Sequence, residues 1–249
     1  DPAMLDTKLF LQAQATCIDA VYAELGAGKK MSHWMWFVFP QIAGLGRSPT
    51  AQLYAIADLA DRYSFGEVRN SHNQNIILAD VEQQQLFTLW GELRENGFAT
   101  PNSGLLTDII CCPGGDFCSL ANAKSIPIAE AIQRRFDDLD YLFDIGNIDL
   151  NISGCMNACG HHHVGHIGIL GVDKKGQEFY QVSLGGSAGR DASLAQILGP
   201  SFAEADMADV IDKIIKVYVE NRSEEESFLD TFRRIGVDPF KERVYAANH

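Results

Sequence analysis

Two short-range pairs of cysteines constrain this chain more than any other feature. Cys112 and Cys118 have five residues between them, in Cys112-Pro113-Gly114-Gly115-Asp116-Phe117-Cys118. Cys155 and Cys159 have three, in Gly154-Cys155-Met156-Asn157-Ala158-Cys159-Gly160. A cubane iron–sulfur cluster needs four thiolates arriving from different directions, and a short spacing lets one loop supply two of them. The glycines beside each pair let the backbone pass close to inorganic sulfide. Structural zinc sites use tighter Cys-x2-4-Cys knuckles, which the five-residue gap does not fit. Spacing alone therefore favours iron–sulfur over zinc, and zinc over unligated thiols. Cys111 stands one residue out of register and reads as a buried thiol outside the ligand set.

Composition narrows the setting. The chain has 249 residues, 46% hydrophobic and 21% charged, which is ordinary for a globular protein and enough for a core without staples. A bound metal would then serve chemistry at least as much as stability. The net charge of −13 argues against nucleic acid, whose phosphates call for Lys and Arg. It suits a solvated enzyme and allows docking of a basic electron donor. No run of eighteen apolar residues is present, so no membrane span is expected. Six cysteines without a basic-then-apolar leader point to a reducing, cytoplasmic setting, where thiols bind metal rather than pair. Asp1-Pro2-Ala3-Met4 reads as a short addition before a natural start at Met4.

Apolar residues from Thr7 to Leu25 recur at helical spacing, and a second helix is expected from Ser48-Pro49-Thr50 to about Tyr63. Between them lies the aromatic run Trp34 to Phe39, whose pattern is that of buried packing. Val68 and Asn75 to Ala79 read as two strands, followed by a helix from Glu82 to Asn96. Helix is expected from Ser119 to Asp137, strands over Ile148–Ile152, Val164–Val172 and Phe179–Leu184, and helices over Ala205–Val219 and Glu225–Arg234. The fold class is α+β: an N-terminal helical segment (1–55), half of a ferredoxin-like layer (56–110), and a mixed α/β cluster-binding domain (111–249). Gly26-Ala27-Gly28-Lys29-Lys30 lacks the first glycine and the hydroxyl residue of a phosphate loop and is set aside.

The cysteine motifs also resemble the signature of sulfite and assimilatory nitrite reductases, which couple sirohaem to a 4Fe–4S cluster. The surrounding text agrees: Gly104 to Ile110 before the first pair, Ser119-Leu120-Ala121-Asn122-Ala123-Lys124 after it, Gly160 to Gly168 after the second, and Tyr180-Gln181-Val182 leading to Gly185-Gly186. The resemblance runs from about Ile56 to the C-terminus. It implies that Cys112, Cys118, Cys155 and Cys159 all ligate the cluster, that Cys159 also bridges to the sirohaem iron, and that Asn157 lies against the macrocycle. His161, His162, His163 and His166 then line or support the cofactor rather than form a second metal site. The implied partners are an electron-donor protein of ferredoxin or flavoprotein type and a small oxyanion, with no nucleic acid and no membrane.

In that family an upstream half supplies the Arg and Lys residues for the sirohaem carboxylates and the substrate anion. Residues 1–55 do not resemble it. Ser32-His33-Trp34-Met35-Trp36-Phe37-Val38-Phe39-Pro40-Gln41 instead resembles a helical family of unknown function, so the expectation is a fusion of two incomplete domains. Arg69, Lys124, Lys174, Lys175 and Arg190 are candidate cations, none at a familial active-site position, and Lys174-Lys175 reads as a turn. The missing half would also leave apolar surface open to a homodimer. Three functions follow: a sulfite or nitrite reductase-type oxidoreductase, a cluster-carrying electron-transfer or vestigial protein without turnover, and a ligand-binding module led by the N-terminal segment.

Overall fold

A computed structural model describes residues 19, 20, 23 and 49–246. Most of the helix expected over Thr7–Leu25, the aromatic run and the rejected phosphate loop lie outside them, although Asp19, Ala20 and Ala23 are helical. From residue 49 onward the described residues fall into two compact units, divided between Pro101 and Asn102.

In the first unit, helix α1 spans Pro49–Tyr63 with Pro49 at its start, where a missing N–H costs nothing. Strands β1 (Val68–Asn70) and β2 (Ile76–Leu78) pair antiparallel, as their separation by a short polar turn predicts. A 3-10 turn over Gln83–Gln85 leads into α2 (Leu86–Glu95), which ends at Asn96-Gly97. Leu59 and Ala60 are buried, whereas most of the ribbon faces solvent. Arg62 holds the unit together at the surface by pairing with both Asp58 and Glu92.

The second unit is built on a five-stranded sheet in the order β3-β4-β5-β6-β7, with β3 at Ile110–Cys111, β4 at Leu150–Ser153, β5 at Ile167–Lys174, β6 at Gln177–Leu184 and β7 at Gln196–Ile197. The first three strands run parallel, β6 turns back antiparallel to β5, and β7 pairs antiparallel to β6. Between β3 and β4 lie α3 (Gly114–Phe117), α4 (Ile126–Arg135) and α5 (Leu139–Ile145). After β7 come α6 (Met207–Asn221), α7 (Phe228–Ile235) and α8 (Asp238–Tyr245). Helix α6 packs against α4, α7 and α8. Its buried Val210, Ile211, Ile214, Ile215 and Tyr218 recur every three or four residues, the stripe a core-facing helix requires.

Strand β4 explains the layering. Leu150 and Ile152 join the core with Ile128, Ile132 and Ile211. The alternate residues Asn151 and Ser153 are buried too, and both make hydrogen bonds to the loop that follows the strand. An unmet buried polar group costs about 1–3 kcal/mol; Ser153 Oγ accepts from the Gly160 N–H and Asn151 Nδ2 donates to the His161 carbonyl, while Asn151 Oδ1 has no partner among the described residues.

Several expected boundaries move. Residues 119–125 form turns rather than helix, because the Asn122 and Ala123 N–H groups donate to the Gly154 carbonyl (2.8 and 3.0 Å) and Pro127 restarts the helix at α4. His162–Val164 is a 3-10 turn, and the strand expected from Val164 begins at Ile167. Helices α3, α5 and α8 and the short strands β3 and β7 are too brief to show a period in sequence. The Lys174-Lys175 turn is as expected: Lys174 pairs with Gln177, and Lys175 and Gly176 take positive φ.

Candidate iron–sulfur site

Both cysteine pairs lie in loops that leave the C-terminal ends of adjacent parallel strands, the end at which open α/β sheets place ligands. Cys112 follows β3 directly, and its N–H extends the ladder to the Ile152 carbonyl at 3.0 Å. Cys118 closes α3, with its N–H donating to Gly114 at 2.8 Å. The second pair follows β4. The loops are tied together at the sulfur itself: the Gly154 N–H donates to Cys112 Sγ at 3.0 Å. Cys112 is thus brought next to the residue that precedes Cys155.

Glycine makes this approach possible. A Cβ on Gly154 would lie 2.7 Å from the Ala123 carbonyl oxygen and 2.9 Å from Gly114 Cα. A Cβ on Gly160 would lie 2.0 Å from the Ile152 carbonyl oxygen. Behind Cys159 the chain folds back under β4, where the Gly160 N–H donates to Ser153 Oγ (3.1 Å) and Asn151 Nδ2 donates to the His161 carbonyl (3.2 Å). Cys112 and Cys155 are buried, Cys118 and Cys159 half-buried, and Asn157 exposed.

Cys111 points elsewhere. It belongs to the hydrophobic core, its Sγ donates to the Cys112 carbonyl at 3.2 Å, and burial, with Cys112 adding, pushes its thiol well above the ordinary range. The histidines flank the second loop. Burial, followed by the neighbouring His163 and His161, lowers His162 to about 4, so the ring is neutral at physiological pH. Burial also lowers His166, against the pull of Asp149, whose N–H donates to His166 Nδ1 at 3.1 Å.

Among the described residues, no three His, Cys, Asp or Glu side chains gather closely enough to hold one metal ion. Zinc needs its ligands around a single ion. A cubane takes one thiolate on each of four separate irons, so its ligands stand further apart. Two glycine-cleared loops with an amide aimed at a cysteine sulfur fit such a cluster. Of the expected cations, Arg69 pairs with Glu67 and Asp80, Lys174 Nζ sits over the Phe179 ring, and Lys124 Nζ lies 3.7 Å from Asp116 of the first cysteine loop. Arg190 is exposed in the loop before β7. Ser125, whose hydroxyl lies 3.5 Å from Cys112 Sγ, was not among the expected residues. The only trace of it in sequence is a Ser ahead of Ile-Pro, the pattern of a helix cap.

The mixed sheet thus carries two cysteine-bearing loops at its parallel end, thiol donors of the kind that iron–sulfur clusters take. The chain belongs to the nitrite and sulphite reductase 4Fe-4S domain family, which matches residues 104–248. A protein family of unknown function (DUF1810) matches residues 4–88. Ferredoxin–nitrite reductase of Synechococcus elongatus is 32% identical over 179 residues, covering 69% of this chain and 34% of the relative. Sulfite reductase (ferredoxin) 2 of Mycolicibacterium paratuberculosis is 29% identical over 206 residues, covering 79% of this chain and 37% of the relative. That alignment is longer than 104–248 and so reaches into the segment before it. The solved structure of the Mycobacterium tuberculosis NirA protein matches with a TM-score of 0.66 at 28% identity, over 81% of this chain and 38% of that one. The chain spans about a third of the length of the curated relatives it matches. No helix among the described residues is long and apolar enough to cross a membrane.

Proposed function

We propose that Cys112, Cys118, Cys155 and Cys159 hold a 4Fe–4S cluster, that Cys159 is shared with a sirohaem iron, and that the chain is the cluster-bearing part of a sulfite or nitrite reductase-type oxidoreductase. The observation that carries this reading is the Gly154 N–H on Cys112 Sγ, which joins the two cysteine loops at one end of the sheet. When bound, the cluster supplies one-electron relay and the sirohaem a site for reducing an oxyanion. The chain's own contribution is to present the thiolates, to clear backbone away with Gly154 and Gly160, and to keep His162 neutral beside them. Two relatives carry ferredoxin in their names, which supports a ferredoxin-type donor here. Protein purified without oxygen should contain about five irons to four acid-labile sulfides, the fifth iron accompanied by the Soret band of sirohaem; four of each without that band would keep the cluster and refute the sirohaem. Protein free of both after anaerobic reconstitution would refute the reading.

A second reading, electron transfer without turnover, is favoured by the engagement of Lys124 with the Asp116 carboxylate and of Lys174 with the Phe179 ring, which leaves neither set aside for a substrate anion. Oxyanion reduction depends on preorganised cations, and the net charge of −13 offers little compensation. The chain loaded with cluster and sirohaem should therefore reduce sulfite only slowly with a strong artificial reductant. A rate matching a full-length reductase would exclude this second reading.

A further inference from the structure

Ser125 sits where a serine normally caps a helix. It directly precedes α4, and an N-cap serine usually accepts a hydrogen bond from the second or third N–H of its helix. Here the side chain makes no such bond, and the backbone is already helical (φ −113°, ψ −38°) instead of extended. The residue has no exposed surface, so its hydroxyl needs a partner inside the protein. That partner is Cys112 Sγ, at 3.5 Å.

The surroundings are built to place the hydroxyl there. A Cβ on Gly114 would come within 2.7 Å of Ser125 Oγ, and one on Gly154 within 2.9 Å, so two glycines clear the space it fills. The preceding residue is braced from the far side of the sheet. The Lys124 N–H donates to the Glu178 carboxylate at 2.9 Å, and the fully buried Tyr180 hydroxyl donates to the Lys124 carbonyl at 2.9 Å. Strand β6 therefore fixes the approach of a hydroxyl to a sulfur that belongs to another loop.

We propose that Ser125 is a positioning residue that raises the reduction potential of the cluster by donating its hydroxyl proton to the Cys112 thiolate, alongside the Gly154 N–H. This rests on the cluster reading above. A ligating thiolate is an acceptor only, so the hydroxyl of the pair is the donor. Adding an electron makes the cluster and its sulfurs more negative, and a donor held on a sulfur stabilises that state more than the oxidised one. Hydrogen bonds to sulfur are among the terms that set iron–sulfur potentials. The forfeited helix cap is the structural cost of this arrangement.

The test is a redox titration of the cluster-loaded full chain, followed by electron paramagnetic resonance, comparing wild type with Ser125→Ala. The expected result is wild-type iron content with the potential shifted to a more negative value. An unchanged potential in a fully loaded Ser125→Ala protein overturns the role of Ser125 and leaves the cluster reading intact. A wild-type chain that takes up no cluster overturns both. If Ser125→Ala does not load, Ser125→Cys decides, because it puts a weaker donor of similar shape in the same place: a negative shift supports the proposal, and a wild-type potential overturns it.

Discussion

The two units of this chain use the same ingredients differently. In residues 49–101 the two strands form a local ribbon that mostly faces solvent, and the elements are joined at the surface by charges such as Arg62 between Asp58 and Glu92. In residues 102–246 the central strands pair across long stretches of sequence, β3 with β4 and β4 with β5, and are covered on both faces. Phenylalanine shows the contrast within one residue type. Phe87 of α2 is 79% exposed, while Phe228 of α7 is fully buried against Tyr218 and Phe240. A chemical site needs fixed backbone, and fixed backbone comes with the non-local, two-sided packing of the second unit. Cys112, Cys118, Cys155 and Cys159 lie in that unit.

The sharpest break is at the ligands. Cys159→Ser should abolish cluster colour and iron content, whereas Cys111→Ser should retain both, because a ligand change removes an iron–thiolate bond and a core thiol contributes only packing. Equal bleaching by both substitutions would sink the register assigned to the cysteines.

Next come the cores. Phe228→Ala should destabilise the second unit by about 3–5 kcal/mol, and Phe87→Ala should shift the first by no more than about 0.5 kcal/mol. Chemical denaturation followed by circular dichroism measures both. Comparable losses would mean that the exposed face of α2 is covered in solution.

Gly160→Ala sharpens the comparison inside the second unit. The new methyl meets a backbone carbonyl in β4 rather than a flexible side chain, so overpacking should cost about 1–3 kcal/mol. It should also lower iron retention, since the displaced residue follows Cys159. An alanine variant with wild-type stability and iron would show that the loop is free to move away from β4.

The smallest effect is on the surface pairs, one in each unit. Hydrogen bonds from Arg62 and then Tyr63 hold Glu92 at about 2, below its ordinary 4.5, and Arg234 and then the Ser223 N–H do the same for Glu226. A carboxylate lowered in the folded state binds its proton more readily when unfolded. Its contribution is therefore complete above about pH 4.5 and is lost as the pH falls toward about 2. Glu92→Gln and Glu226→Gln should each flatten the stability profile in that window, and salt should shrink the difference. A profile unchanged by both would assign acid sensitivity to other groups.

Much of the second unit was legible in residues. The stripe on α6 and the apolar runs of β5 and β6 carry their own periods, and the cysteine spacings with their glycines favour an iron–sulfur cluster over zinc. The turns at residues 119–125 were not legible, because Ala121 to Ser125 are as compatible with helix as with a loop. Donation from Asn122 and Ala123 to the Gly154 carbonyl, some thirty residues away, decides between them. Asn151 and Ser153 likewise read as ordinary polar alternates until the following loop folds under them.

By itself, then, the sequence determined that two thiol pairs with glycine neighbours sit in an acidic α+β chain, since spacing, charge and periodicity are local properties. Only the tertiary structure decided that the pairs share one end of a sheet, because parallel pairing of β3 with β4 joins residues about forty positions apart and no local preference encodes it. It also decided the direction of one hydroxyl. Ser125 carries every local mark of a helix cap, yet the space left by Gly114 and Gly154 and the brace from Tyr180 and Glu178 turn it toward Cys112. A cap bond and a sulfur bond use the same oxygen, and the choice between them depends on neighbours that only the folded chain brings together.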